Sequence, residues 1–174
     1  MTTYLALLRG VNVGGRVVPS AQLRGVFEEL GHDDVTTYIQ SGNVVFRSAS
    51  AGAPVTAAAQ RALAARFGHE IAVVLRTGAQ LRHILARNPL ADRDQASLHV
   101  TFLQKRPGVA LARALDPEEH LPDEFALAAT EVFVHCPNGY GRTKLNNAYF
   151  ERRLKVPATT RNLRTVTTLA DMAS

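Results

Sequence analysis

The chain has 174 residues, of which 46% are hydrophobic and 20% are charged, a composition typical of a folded globular protein. This length suits one ordinary domain or two very small ones. No apolar run approaches the roughly 20 residues that span a bilayer, and the N-terminus lacks the features of a secretion signal. The single cysteine, Cys136, cannot form an internal disulfide, so we expect a cytoplasmic protein with no membrane partner.

The net charge of +5 is concentrated near the C-terminus. Residues 137–165 contain seven basic residues and one acidic residue, Glu151, so this segment carries +6 and the remainder −1. Such a segment attracts phosphates, nucleic acid or an acidic partner. A solvated basic face with no partner is the alternative interpretation.

The first half of the chain alternates strand-like and helix-like patterns. Residues 4–8 are apolar throughout, as in a strand covered on both faces. In chain order, the predicted elements are a strand over 4–8, a helix from Ser20 to Leu30, strands over 35–39 and 44–47, a helix over 54–67 and a strand over 71–76. This β-α-β-β-α-β order is that of the ferredoxin-like unit, in which two βαβ motifs share one antiparallel sheet.

The second half partly repeats the first. Thr77 and Gln80 fit a capping box at the start of a helix that stops at Pro89. The elements predicted after it are a strand over 98–103, a helix over 109–115, strands over 125–128 and 132–135, and helices over 145–154 and 163–173. This order lacks only the last strand of the first half and adds a final helix.

We therefore predict an α+β protein with two tandem ferredoxin-like subdomains and antiparallel sheets. The first subdomain covers residues 1–76, a connecting helix and loop cover 77–97, and the second subdomain covers 98–174.

This topology predicts where a site would form. In a ferredoxin-like unit the first crossover is right-handed, so strands one and two run parallel with strand three between them. The glycine-rich loop after strand one and the hairpin after strand two therefore lie at one end of the sheet. The residues expected to converge there are Arg9, Asn12, Gly14, Gly15, Arg16, Gln40, Ser41 and Asn43.

Paired glycines can turn successive backbone N–H groups toward an anion, and arginine binds carboxylate or phosphate through two donors. The helix starting near Ser20 would add the positive end of its dipole. The same residue types also form ordinary tight turns, and the glycine spacing matches neither a Walker A loop nor a dinucleotide-binding motif.

Two further helix starts carry basic residues. Thr143 is a candidate N-cap beside Arg142 and Lys144, and residues 159–162 place Arg161 at the start of the last helix. Together they could form a phosphate cradle, with Lys144 and Arg161 assisting the first loop, or they could be plain helix caps.

Four blocks of the sequence resemble one bacterial family, the domain of unknown function 1697. The blocks are Leu7 to Gly15, Tyr38 to Phe46, Thr143 to Leu145 with Tyr149 to Glu151, and Thr160 to Asn162 with Thr165 and Val166. The resemblance implies a cytoplasmic protein with a tandem ferredoxin-like fold and brings no established activity. The sequence departs from the family pattern in two places: Leu163-Arg164 stands where a Trp-Asn pair is frequent, and Ser20 stands where a Met is common.

No catalytic or metal-binding set emerges from the sequence. The six histidines show no ligand spacing, so we expect no metal and no cofactor. Glu151 could act as a general base or pair with Lys155 one helical turn later, and we favour the ion pair. We therefore predict a phosphate-bearing or other small anionic ligand in a cleft built from the loops over residues 9–16 and 40–43. Nucleic-acid backbone binding through residues 142–164, and an enzyme that uses the same cleft for an unknown reaction, are the alternatives. The oligomeric state stays open.

Overall fold

A computed structural model describes residues 1–174, which divide into two compact units. Unit 1 comprises Met1–Arg82 together with Leu169–Ser174, and unit 2 comprises His83–Thr168. The C-terminal end belongs to unit 1 because it packs against the start of a helix there: a Cβ on Gly78 would lie 2.1 Å from the carbonyl oxygen of Ala173. The boundaries therefore differ from the predicted limits of 76 and 97.

Unit 1 contains the elements that its periodicity predicts, with boundaries shifted by a few residues. These are β1 (Thr2–Leu8), α1 (Ser20–Glu29), β2 (Asp33–Thr37), β3 (Asn43–Ser48), α2 (Gly52–Phe67), β4 (Val73–Thr77) and the first turn of α3 (Gly78–Ala86). The capping box is present, since the Gln80 N–H donates to the Thr77 hydroxyl at 3.1 Å and the Thr77 N–H donates to the Gln80 side chain at 2.8 Å.

The sheet of unit 1 has the strand order β2-β3-β1-β4, and every neighbouring pair is antiparallel. β1 and β2 therefore run parallel with β3 between them, so the loops that follow them leave the same end of the sheet. Alternate residues of β1 join Phe27 and Phe46 in one hydrophobic core, where the two phenyl rings lie 5.0 Å apart. Both faces of β1 are buried, which explains why its sequence does not alternate.

Unit 2 repeats this order of elements. It contains β5 (Leu98–Leu103), α4 (Val109–Arg113), β6 (Glu124–Leu127), β7 (Glu131–His135), α5 (Asn147–Leu154), β8 (Ala158–Asn162) and the greater part of α6 (Leu163–Met172). Its sheet has the antiparallel order β6-β7-β5-β8, in which each strand occupies the place of its counterpart in unit 1. The protein is thus an α+β fold with two four-stranded antiparallel sheets and six helices.

β8 corrects the prediction that the second half lacks a last strand. After Ala158 the strand consists of Thr, Thr, Arg and Asn, so it offers no apolar pattern, and its polar residues resemble a helix cap. The strand forms because all five residues pair with the open edge of β5. Its two adjacent threonines are the one local signal for a strand. Of the residues predicted to cap the last helix, Asn162 alone does so. Its side-chain oxygen accepts a hydrogen bond from the Thr165 N–H at 2.8 Å.

Candidate functional site

The loop after β1 and the turn after β2 are joined by one side chain. The Nδ2 group of Asn12 donates to the carbonyl oxygens of Gln40 and Val18, and its Oδ1 accepts from the Val18 N–H at 2.8 Å. The Leu8 N–H also donates to the Gly42 carbonyl at 2.8 Å. The two loops that topology predicts as neighbours are therefore in contact. We call residues 9–18 and 38–43 together the loop rim.

Gly42 allows this close contact. Its φ of +77° lies in the left-handed region, and a Cβ at this position would lie 2.4 Å from Cγ2 of Val11 and 2.9 Å from Cβ of Leu8. Real Cβ atoms do not approach other atoms so closely, so any other residue would push the turn away from the loop.

Three residues that we predicted to contact a ligand instead form hydrogen bonds inside the rim. Asn43 is fully buried, and its Nδ2 donates to the Tyr38 carbonyl at 3.0 Å and to the Ser41 hydroxyl at 2.8 Å. Asn12 uses both hydrogens of its amide inside the rim. The structure thus places Asn12, Ser41 and Asn43 in the hydrogen bonds that shape the loops.

Five of the residues predicted to converge here are exposed: Arg9, Gly14, Gly15, Arg16 and Gln40. Gly14 and Gly15 both have positive φ, +60° and +84°, and their backbone N–H groups donate to no protein acceptor. α1 begins at Ser20 without a side-chain cap, so its first N–H groups have no side-chain acceptor. The rim therefore presents the backbone N–H groups of Gly14 and Gly15 and two exposed arginine residues to solvent.

Lys144 and Arg161 belong to unit 2, where they occupy different environments. Lys144 is exposed. Arg161 is buried on β8, and its guanidinium donates to the Thr159 hydroxyl at 2.7 Å and to the Thr160 carbonyl at 2.9 Å. Burial lowers the pKa of Arg161 to about 10, which leaves it charged at neutral pH. Arg161 is therefore a strand residue and not part of a helix start, which corrects the prediction.

The predicted cap at Thr143 is also corrected. α5 begins at Asn147, and Asn146 is its N-cap, since Oδ1 of Asn146 accepts from the Tyr149 N–H at 2.9 Å. The hydroxyl of Thr143 instead donates to Asp123 at 2.7 Å and accepts from the Leu145 N–H at 3.1 Å. Thr and Asn are both preferred N-cap residues, so the sequence does not distinguish Thr143 from Asn146 as the cap of α5. Only the backbone geometry does.

Unit 2 contains a polar cluster that the sequence does not reveal. The Thr160 hydroxyl lies 2.8 Å from that of Thr101 and donates to Oδ1 of Asn147 at 3.0 Å. Nδ2 of Asn147 donates to Glu151 at 3.0 Å, and its backbone N–H donates to the Tyr140 hydroxyl at 2.8 Å. Burial raises the pKa of this phenol, so Tyr140 stays neutral at physiological pH.

The ion pair that we predicted between Glu151 and Lys155 does not form. The Glu151 carboxylate accepts from Asn147 and from the backbone N–H of Ala158, at 3.2 Å for the latter. Lys155 is exposed and ends α5 in a left-handed conformation, φ +57°, which takes it out of the helical spacing that the prediction assumed.

Cys136 and His99 lie together near this cluster. The sulfur of Cys136 is 3.5 Å from Nδ1 of His99, and the imidazole stacks on the Tyr140 ring at 4.5 Å. Burial raises the pKa of the Cys136 thiol to about 11 and lowers the pKa of His99. The pair is therefore a neutral thiol beside a neutral imidazole, which argues against a nucleophilic thiolate. No group of three His, Cys, Asp or Glu residues is placed to hold a metal ion.

Comparison with known proteins identifies the family. The pattern of the family described as "Protein of unknown function (DUF1697)" matches residues 1–133, which include the whole loop rim. The chain is also similar to a solved structure, that of the conserved bacterial protein SP0830 from Streptococcus pneumoniae. The two share 27% sequence identity with a TM-score of 0.78 over 99% of this chain and 98% of the other. No curated protein matches the chain. None of the six helices has the length and apolar character to cross a membrane. The chain belongs to the DUF1697 family of proteins of unknown function.

Proposed function

We propose that the loop rim binds a phosphate-bearing or other small anionic ligand. The observation that carries this proposal is the Gly14-Gly15 turn, whose exposed N–H groups have no protein acceptor and which is followed directly by Arg16. Backbone N–H groups in such a turn and a guanidinium fork are the donors that proteins use for phosphate oxygens. The Asn12 hydrogen bonds fix the loop before a ligand arrives, which lowers the entropy cost of binding.

The rim residues divide into two roles under this proposal. Asn12, Ser41 and Asn43 hold the loops in place. Five exposed residues contact the anion: Arg9, Gly14, Gly15, Arg16 and Gln40. The proposal does not require Lys144 or Arg161. The rim contains no His, Cys, Asp or Glu, and Tyr38 is its one phenol. With so few acid–base groups, an enzyme reaction at this place is the less supported form.

The ferredoxin-like assignment of both units is part of the same proposal. It is supported by the order β-α-β-β-α-β in each unit and by the shared strand order of the two sheets. We also propose that the protein is bacterial and acts in the cytoplasm. The similarity to a streptococcal protein supports the origin, and the single buried thiol suits a reducing compartment.

A thermal-shift and calorimetry series with inorganic phosphate and nucleoside monophosphates tests the proposal. A ligand at 100 times its Kd is expected to stabilise the protein by about 2.7 kcal/mol. Arg16→Ala is expected to weaken binding about tenfold, the lower end for a charge-assisted hydrogen bond at an exposed site. Arg61→Ala removes the same charge from an exposed position of α2 and is the matched control. Equal affinities for the two variants would refute the site.

Nucleic-acid backbone binding is the second candidate. Five basic residues of the segment 142–164 are exposed: Arg142, Lys144, Arg152, Lys155 and Arg164. The one acidic residue of the segment, Glu151, is hydrogen-bonded through its carboxylate inside unit 2. Binding of short RNA or DNA should then weaken steeply with salt, and Lys144→Ala should reduce the slope of log K against log salt by about 1. No binding at low salt would exclude this candidate.

A further inference from the structure

Three aliphatic side chains of the loop rim point away from any core. Val13 is 61% exposed, Val17 is 70% exposed and Ile39 is 53% exposed, whereas only three other large hydrophobic residues of the chain are exposed. Isolated exposed aliphatics are ordinary on protein surfaces, but a group of them in one place marks a contact surface.

The hydrogen bonds of the rim show that these three residues are grouped. The Asn12 side chain is hydrogen-bonded to the backbones of Val18 and Gln40. Val13, Val17 and Ile39 are the direct chain neighbours of these three residues, one Cα–Cα step of about 3.8 Å away from each. One amide therefore joins the three backbone positions that flank the exposed aliphatic residues.

Ile39 gives a second, independent observation. Its φ is +46°, in the left-handed region, where a β-branched residue is a genuine outlier. The strain gains no burial in return, because more than half of the residue is exposed. Asn or Gly would adopt this conformation readily, so the folded state alone gives no reason for an isoleucine here. Strained residues of this kind are typical of ligand-binding positions.

The charge of the rim indicates the rest of the ligand. The rim contains Arg9 and Arg16 and no acidic residue. We propose that the ligand of the rim is an amphiphilic anion: its phosphate or carboxylate binds at Gly14, Gly15 and Arg16, and an apolar group covers Val13, Val17 and Ile39. This inference rests on the proposed function and names the class of ligand, a small anion that carries a hydrophobic group.

Two phosphate monoesters of equal charge separate the inference from the function beneath it. Methyl phosphate probes the anion contacts alone, and hexyl phosphate adds five methylenes. Each methylene that becomes buried improves affinity about fourfold, so hexyl phosphate is expected to bind at least tenfold more tightly than methyl phosphate. Calorimetry or amide chemical shifts give both dissociation constants.

Variants of the aliphatic residues test whether the rim is responsible. Ile39→Asn and Val17→Thr should each remove most of the preference for hexyl phosphate and leave the affinity for methyl phosphate unchanged. Val109→Thr is the matched control, because Val109 is 60% exposed on α4 in unit 2. Ile39→Asn relieves the backbone strain, so its thermal midpoint should equal or exceed that of the wild type. Val17→Thr keeps side-chain shape and supplies a second measurement if Ile39→Asn folds poorly.

The outcomes are distinguishable. If methyl phosphate binds and hexyl phosphate binds no better, the amphiphile inference is refuted and the anion-binding function stands. If neither ester binds, both are refuted. If the wild type self-associates without ligand and Ile39→Asn abolishes the association, the surface is a contact between copies of this chain and the inference is overturned.

Discussion

Asn12 is the residue on which the geometry of the loop rim depends, and its removal gives the sharpest test of the structure. Its side chain makes three hydrogen bonds to the backbone, to Gln40 O, Val18 O and Val18 N–H. Its own φ is +57°, a conformation that Asn tolerates better than most residues. Asn12→Gly therefore removes the side-chain bonds without backbone strain, whereas Asn12→Ala removes the same bonds and adds strain.

The expected magnitude follows from these contacts. Each net hydrogen bond contributes about 0.5–1.5 kcal/mol, and the rim is partly solvated, so we expect Asn12→Gly to lower the free energy of unfolding by about 1–3 kcal/mol. Asn12→Ala should lower it further, by about another 1 kcal/mol, because alanine must adopt a positive φ. Urea denaturation measures the difference between the two variants, and the difference isolates the backbone contribution.

Hydrogen exchange locates the effect. The Val18 amide donates to Asn12, so its protection should fall in Asn12→Gly, whereas the Tyr4 amide within β1 should change only as much as global stability does. Asn12→Gly should also weaken the binding of methyl phosphate and of hexyl phosphate to the same extent, since both esters require the ordered rim. Unchanged protection at Val18 would show that the amide does not join the loops, and would refute the basis of both proposals.

Three further outcomes are expected. Gly42→Ala should destabilise the protein by about 1–3 kcal/mol in urea denaturation, because its Cβ would overlap Val11 at a positive φ; a change below 0.5 kcal/mol, on the order of a neutral surface substitution, would contradict the packing. Cys136 should resist alkylation at pH 8 in the native protein and react on unfolding, because its pKa of about 11 leaves little thiolate; rapid native labelling would contradict its burial. His99 has a lowered pKa, so the unfolded state binds more protons as the pH falls through 6.5 toward the folded-state pKa. Stability is therefore present above pH 6.5 and declines over that window, and His99→Gln should flatten the decline in denaturation midpoints measured between pH 5 and pH 8.

The sequence by itself determined the helices and strands that hydrophobic periodicity or a cap within a few residues indicates. Strand 98–103 coincides with β5, and the capping box at Thr77 and Gln80 forms as predicted, because periodicity and reciprocal caps act within a few residues. The neighbourhood of the two rim loops was also predictable, since it follows from the order of the strands and one rule of handedness.

Only the tertiary structure decided the features that depend on contacts distant in sequence. β8 exists because a polar segment meets the open edge of β5, and Glu151 is drawn into a hydrogen-bonded cluster and not toward Lys155. Tertiary contacts also decided which rim residues support the loops and which are exposed. Asn12 and Asn43 make hydrogen bonds inside the rim, whereas Gly14 and Gly15 are exposed. Residue type and spacing state which hydrogen bonds a side chain can make, but the partner that it finds is set by how the chain packs, and packing is a property of the whole fold.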